Sequence, residues 1–274
     1  MVLSVLEAEK LVPAAELLSD LPVPGSTQLS PLDTLRLRNP LLPSEVERYR
    51  ELGEHAAVVL THVAFHCRPG LPEHVIAGML GSGLMDFGVV PSVVLVAVDD
   101  RVAARRHPLP TDRRLERYGM LVVGGRRHGL HLSATRLVHF GAIPDELRRK
   151  HEACVRVDAA FLAASRPGAR LADVFAAGQA AYAEEGYPGE WQHHHQGGPT
   201  GYAGRDLRAT PDGPGEVLPG QAFAWNPSTA GTKSEDTVLV TEDGIEVLSP
   251  TPDLPELEVE AAGRQFRRAG ILER

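Results

Sequence analysis

The sequence predicts an α+β fold, and three observations carry that expectation. Apolar residues recur at helical spacing across residues 43–84 and again across 145–185. Between those stretches lie β-branched and apolar segments of strand length. Beyond residue 190 strand-type segments dominate, with Asp243-Gly244 set between two of them as a hairpin turn. A chain of 274 residues carries ample apolar surface for a core.

Taken in order, residues 1–42 are broken by Pro13, Pro22, Pro24, Pro31 and Pro40 and read as an irregular lead-in with one short helix. Residues 43–274 form the main domain. A helix is expected from Pro43-Ser44-Glu45, with Ser44 as its N-cap, to about His66; Leu52, Ala56, Val59, Leu60 and Val63 share one face. Pro69-Gly70 separates it from a second helix over 72–84. Strands follow at 92–98, 120–123 and 130–140, the last two joined by a Gly-Arg-rich turn. Residues 145–165 and 171–185 are read as helices, the first apolar at Leu147, Cys154, Val157 and Phe161. Strands at 221–225, 237–241 and 245–248 precede a closing helix over 256–268.

Composition narrows the function classes. A formal charge of −8 argues against nucleic acid, because phosphate binding needs a basic face. Cys67 and Cys154 are too few for a disulfide framework or a Cys-rich zinc site, and both are read as apolar fillers within helices. No apolar run approaches the ~20 residues of a membrane span. The first ten residues carry acids and lack the basic start of a signal peptide, so a cytoplasmic location without membrane contact is expected.

Four segments carry a family likeness. Arg106-His107-Pro108-Leu109-Pro110-Thr111-Asp112 resembles a His-Gly-x-Pro-Ser/Thr-Asp segment. Leu130 to Arg136 resembles a strand ending in Asp-x-Thr-Arg. His193-His194-His195-Gln196-Gly197-Gly198 stands where a ligand histidine precedes glycine. Leu218 to Pro227, with Lys233 to Gly244, resembles a Pro-Gly-Met-Val-Phe…Glu-Pro segment and a Glu-Asp-Thr-Val-Leu-Val-Thr-Glu-Asp-Gly hairpin. Together these resemble the family of aminopeptidase P, prolidase (Xaa-Pro dipeptidase), creatinase and methionine aminopeptidase. The likeness spans roughly residues 43–250. It implies the pita-bread fold, a curved antiparallel sheet flanked by helices, with the N-terminal domain of aminopeptidase P and creatinase missing or reduced to residues 1–42.

The resemblance also implies a dinuclear metal site of two Asp, one His and two Glu, and here the chain departs from it. Ser133 stands at the second Asp position and Val122 at the first; residues 117–144 contain no Asp or Glu. Asn226, still followed by Pro227, replaces the first Glu, leaving Glu235 and a histidine, His195. One carboxylate cannot bridge and neutralise two divalent ions, so neither a dinuclear site nor any other cofactor is expected.

The remaining polar residues each carry two readings. His107 resembles the histidine that serves creatinase as general acid/base, and its ordinary pKa suits proton transfer; the alternative is a solvated loop histidine. Glu235 is read as catalytic or as holding a cationic substrate group; a buried carboxylate there must in any case be paired, with an Arg, Lys233 or the substrate. If residues 193–195 are extended, His193 and His195 share a face, and with His131 and Glu235 could hold one zinc; otherwise they form a polar patch in a cleft. His131, Ser133 and Thr135 share strand parity, either as a Ser-His pair or as hydrogen-bonding filler of the old ligand position. Asn226 suits recognition of an amide or carboxylate. Tyr202, seven residues after His195, stands where the family often places a substrate-side histidine, and Arg205 and Asp206 are read as pairing with each other. The resulting expectation is a metal-independent hydrolase or lyase acting on a small amide, amidine or short peptide. His107 and Glu235 are its catalytic residues; His131, Ser133, His193, His195, Tyr202 and Asn226 bind substrate. A non-catalytic binding protein and a mononuclear metallopeptidase are the alternatives, and the relatives imply a homodimer.

Overall fold

In the computed structural model, which describes residues 17–274, proline and glycine punctuate the elements much as local chemistry dictates. The part of the expected lead-in at residues 1–16 lies outside the described residues. Two short parallel strands, β1 (Leu18–Ser19) and β2 (Thr27–Gln28), precede helix α1 (Pro31–Arg38), where the Ser30 hydroxyl accepts the Asp33 N–H at 3.1 Å. Helix α2 (Pro43–His66) begins one residue before the expected cap. Pro43 takes the first helical position, its fixed φ suiting it there, and the Glu45 carboxylate accepts the Leu42 N–H at 2.7 Å; Ser44 lies inside the helix and is not its N-cap. Tyr49, Leu52, Ala56, Val59, Leu60 and Val63 form its buried face. On the same helix a Cβ at Gly53 would stand 1.6 Å from the Leu248 carbonyl oxygen, so only glycine lets the two backbones approach.

Helix α3 (Glu73–Asp86), strand β3 (Val90–Val98) and the short helix α4 (Asp100–Ala104) lead to strands β4 (Tyr118–Arg127) and β5 (Leu130–His139). His128 and Gly129, both at positive φ, make the tight turn between β4 and β5. Helices α5 (Asp145–Ala164) and α6 (Leu171–Glu184) follow, then a 3-10 turn (Glu190–His193) and β6 (Gly197–Thr200). Cys154 is buried within α5, whereas Cys67 is buried just past the end of α2 and not within a helix. The chain continues through β7 (Ala222–Trp225), β8 (Ser228–Thr229), β9 (Thr232–Lys233), β10 (Asp236–Val240) and β11 (Ile245–Val247).

The expected closing helix is instead a hairpin, β12 (Glu256–Ala261) and β13 (Arg264–Ala269), followed by β14 (Ile271–Glu273). Glu256 to Ala261 alternate charged and apolar residues with period two, the signature of a half-buried strand, and Ala262-Gly263 at positive φ supply the turn.

Among the described residues these strands form two four-stranded sheets, ordered β14-β5-β4-β3 and β11-β10-β7-β6. All neighbours within them run antiparallel except β14 and β5. The sheets meet where β5 touches the start of β10: the Thr135 N–H donates to the Glu235 carbonyl at 3.0 Å, and the Ser133 N–H to the Thr237 hydroxyl at 2.8 Å. Helices α2 and α3 cover the first sheet, sharing a core with Leu121, Val123, Leu132 and Ala134. Helices α5 and α6 cover the second, around Phe161, Phe175, Phe223 and Trp225. Strand alternation then turns Val122, Gly124, Ser133 and Thr135 away from α2 and α3.

Candidate functional site

The junction of the two sheets sorts its side chains by parity. On one face Thr135 donates to the Glu235 carboxylate at 2.8 Å; on the other, Arg136 donates to Asp236, also at 2.8 Å. The Glu235 face opens into a cleft of about 310 Å³, walled by β3, β4 and β5 and by the loop that follows β6. Glu235 is 4% exposed, and both its oxygens are engaged. Lys233 Nζ lies 2.7 Å from one, and the Arg205 guanidinium 3.1 Å from the other. Burial alone would raise the Glu235 pKa, but Lys233, Arg205 and the Thr135 hydroxyl outweigh it and hold the carboxyl at about 2. Arg208, on the same loop as Arg205, lines the cleft and makes no ion pair among the described residues. Three cations therefore face one carboxylate.

His107 reaches the cleft from the segment between α4 and β4, and that segment is pinned from beneath. The fully buried Glu73 carboxylate accepts the N–H groups of Val98 and Thr111, both at 2.9 Å, and the Thr111 hydroxyl at 2.7 Å, and it also pairs with Arg101. Asp99 accepts three successive N–H groups, from Glu116, Arg117 and Tyr118. Partial burial, and then the charge of Lys233, lower the His107 pKa, so the ring is neutral at neutral pH. His195 stacks beside it with ring centroids 5.8 Å apart, and His194 meets it edge-on at 5.7 Å. Burial first and Arg205 second push His195 to about 4; burial and Lys233 push His194 to about 3. His194 donates from Nδ1 to the His195 carbonyl at 2.6 Å, which leaves Nε2 to accept from the Ser228 hydroxyl, also at 2.6 Å.

Gly197 and Gly198 make this arrangement possible. Both hold positive φ, and a Cβ on either would stand 2.1 Å from the Ala224 carbonyl oxygen or 2.4 Å from that of Leu207. Asn226, at the end of β7, also lines the cleft; its backbone N–H is bound to the Gln196 carbonyl, while its buried side-chain Oδ1 has no partner among the described residues.

Of the residues singled out from sequence, His107, Ser133, His195, Asn226 and Glu235 line this one cleft. His131, His193 and Tyr202 do not. His193 ends the 3-10 turn and is exposed; because residues 190–193 are not extended, His194 rather than His193 turns with His195 toward His107. Tyr202 donates to Glu45 of α2 and lies against Gly129. His131 is half-buried, its backbone bound by Tyr49 and Gly201. Arg205 and Asp206 do not pair with each other: Arg205 turns to Glu235 and Asp206 to Arg38. Sequence reading passed over Arg208 and Glu73, the latter because a lone Glu in the first turn of a helix looks like a solvated residue. The only available signal was that its neighbours on the helix are apolar.

This architecture, two sheets each backed by a helix pair with the cleft at their junction, is that of the pita-bread proteins. A profile of metallopeptidase family M24 matches residues 47–242, and the chain belongs to that family. An uncharacterised peptidase of Staphylococcus aureus is 26% identical over 224 residues, which are 78% of this chain and 63% of the relative's length. Among solved structures, dipeptidase PepE from Mycobacterium ulcerans aligns with a TM-score of 0.74 and 24% identity, covering 83% of this chain and 64% of that one. X-Pro aminopeptidase from Thermotoga maritima aligns at 0.76 and 18%, covering 91% and 68%, and prolidase from Pyrococcus furiosus at 0.74 and 20%, covering 83% and 71%. Among the described residues no helix is long and apolar enough to cross a membrane.

The residues present do not fit the metals that the family's name implies. Among the described residues no three His, Cys, Asp or Glu side chains gather as a ligand set. Where a divalent ion would need carboxylates, the cleft presents Lys233, Arg205 and Arg208, and its one carboxylate has both oxygens bound to protein cations. The mononuclear set of His131, His193, His195 and Glu235 does not converge either, since two of its members lie outside the cleft.

Proposed function

We propose that this chain is a metal-independent hydrolase of a small amide, amidine or short peptide, with His107 as its proton carrier. The observation that carries this reading is the convergence of His107, Asn226 and Glu235 on one cleft of substrate size. Held neutral, the His107 ring takes a proton from the water that attacks the C–N-bonded carbon and returns it to the leaving nitrogen. Asn226, with an unspent buried acceptor, orients an N–H of the substrate. The charge that develops on the attacked oxygen is met by Arg205 and Lys233. Glu235 is not the proton carrier: held at about 2 by those two cations, it stays ionised and fixes their positions.

The test is a panel of short peptides and N-acylamides incubated with the chain in the presence of a chelator. Turnover is expected, and His107→Ala should lower kcat by about 10²–10⁴-fold without shifting the melting temperature. Turnover that needs added divalent metal would overturn the reading. One observation favours a second reading, a non-catalytic binding protein: both oxygens of Glu235 are already taken, leaving no second carboxylate to share the proton work. Ligand binding without turnover by any member of the panel decides for that alternative.

A further inference from the structure

We propose that His62 and His66, one turn apart on the exposed side of α2, bind a divalent metal ion of the zinc, nickel and copper class. The site shares no residue with the cleft, and the inference does not rest on the hydrolase reading.

Helix geometry brings the pair together. Residues four apart project from the same side of a helix, and α2 runs unbroken from Pro43 to His66. Both residues are exposed, and their rings stack with centroids 3.9 Å apart. His66 Nδ1 stands 2.7 Å from the His62 carbonyl oxygen. A carbonyl only accepts, so Nδ1 donates its proton there and Nε2 keeps its lone pair. A metal-ligating histidine is held in the same way, its second nitrogen tied to an oxygen that fixes tautomer and ring direction. The His62 ring makes no hydrogen bond among the described residues, so its nitrogens are free to bind. Two other helical histidines have no such freedom. His55 stacks on Phe87 and accepts from Arg127, while His151 spends both nitrogens, on Thr232 and Ala269.

The surroundings favour a cation. His66 is the last residue of α2, where the helix dipole presents its negative end. The pair lines a groove of about 520 Å³ between α2 and the loop that joins β11 to β12. Glu54 and Asp253 line that groove and no lysine or arginine does, the reverse of the cleft, which Arg205, Arg208 and Lys233 line. On the facing wall Pro250 and Pro252, with φ fixed by their rings, stiffen the loop. No third His, Cys, Asp or Glu gathers with the pair among the described residues, so water completes the coordination shell. Two imidazoles select zinc, nickel or copper over magnesium and calcium, which take oxygen ligands.

Calorimetric titration of the metal-free full chain with zinc tests the site, with magnesium as the oxygen-seeking control. Zinc should bind with a Kd of about 0.1 mM or lower, and magnesium should give no heat in that range. A protonated imidazole has no lone pair to offer, so zinc affinity should fall on acidification. His62→Gln and His66→Gln should each weaken zinc binding about tenfold or more. Both positions are exposed, so the melting temperature of either metal-free variant should stay within about 2 °C of the original. The cleft has His107, His194 and His195 of its own, and the two variants tell the sites apart. Zinc binding at full strength in both variants would overturn the inference, as would no zinc binding at all or equal binding of magnesium. No readout requires turnover. Loss of this site leaves the hydrolase reading intact, and a chain that cleaves nothing yet loses zinc with His62 or His66 keeps this inference.

Discussion

Two clusters of buried charge lie back to back across the β5–β10 junction, and they are built on opposite terms. Behind the sheet, Asp158, Asp236, Arg136 and Arg268 form a balanced set of two acids and two bases. Arg268 reaches Asp158 at 2.7 Å and Asp236 at 3.0 Å, while Arg136 reaches Asp236 at 2.8 Å. The Ser234 hydroxyl donates to Asp158 and that of Ser249 to Asp236, and the Thr251 hydroxyl accepts from Arg136. In the cleft, Lys233, Arg205 and Arg208 outnumber Glu235. The balanced cluster sums to zero formal charge, although Asp158 Oδ1 and one terminal nitrogen of Arg268 are buried without a partner among the described residues. The unbalanced one is open to solvent and carries more positive groups than negative ones. Both are inside a protein; what separates scaffold from site is the sum of charges.

That contrast breaks most readily at the scaffold. Arg268→Met leaves two buried aspartates facing one arginine and should cost about 3–5 kcal/mol of stability, read from the urea midpoint. A loss under about 1 kcal/mol would mean that the rear cluster is solvated and that the distinction fails. Lys233→Met should cost less, about 1–3 kcal/mol, because Glu235 keeps Arg205 and the Thr135 hydroxyl. A cost equal to that of Arg268→Met would place the cleft among the scaffold elements.

A third comparison uses pH. His194 and His195 beside the cleft titrate at about 3 and 4, and His151, buried against Thr232 and Ala269, at about 4, all below the ordinary 6.5. A group whose pKa falls on folding contributes in full above its unfolded value, so their share is present above pH 6.5 and is lost as pH falls toward 4. Urea midpoints should be flat above pH 7 and decline between pH 6.5 and 4. His151→Gln should flatten part of that decline. A midpoint constant from pH 7.5 to 4.5 would show that these rings protonate freely in the folded chain. The smallest expected effect is that of Arg208→Gln on stability, within about 0.5 kcal/mol, since its side chain holds nothing else in place.

Much of the architecture was legible in the residues, and the failures have identifiable causes. The helices over 43–66 and 145–164 and the strands around Asp243-Gly244 carry strong periodicity and turn chemistry, and the structure has them nearly as read. Residues 256–268 depart from the expected closing helix because charged and apolar residues alternate there with period two. The cap of α2 moved because Pro43 outcompetes Ser44 for the start of the helix. In the site, local pattern reached the residues that sit on strands or next to them, namely Ser133, Asn226 and Glu235. It failed at His193, where a 3-10 turn replaced an assumed strand. It failed again at Arg205, whose partner lies 30 positions along the chain rather than next door. Long cationic side chains choose partners in three dimensions, and no local spacing records that choice.

The stitch of Thr135 and Arg136 to Glu235 and Asp236 has a consequence for how such a chain changes over generations. Neighbouring letters of one short hairpin answer to different surroundings: one faces the buried ion-pair cluster, the next faces the cleft. A library covering residues 133–136 and 233–237 should therefore show a striped tolerance, with the rear-facing positions fixed for expression and the cleft-facing ones open to exchange. A lineage can discard its inherited chemistry one letter at a time along such a hairpin while the protein goes on folding and its ancestry stays readable.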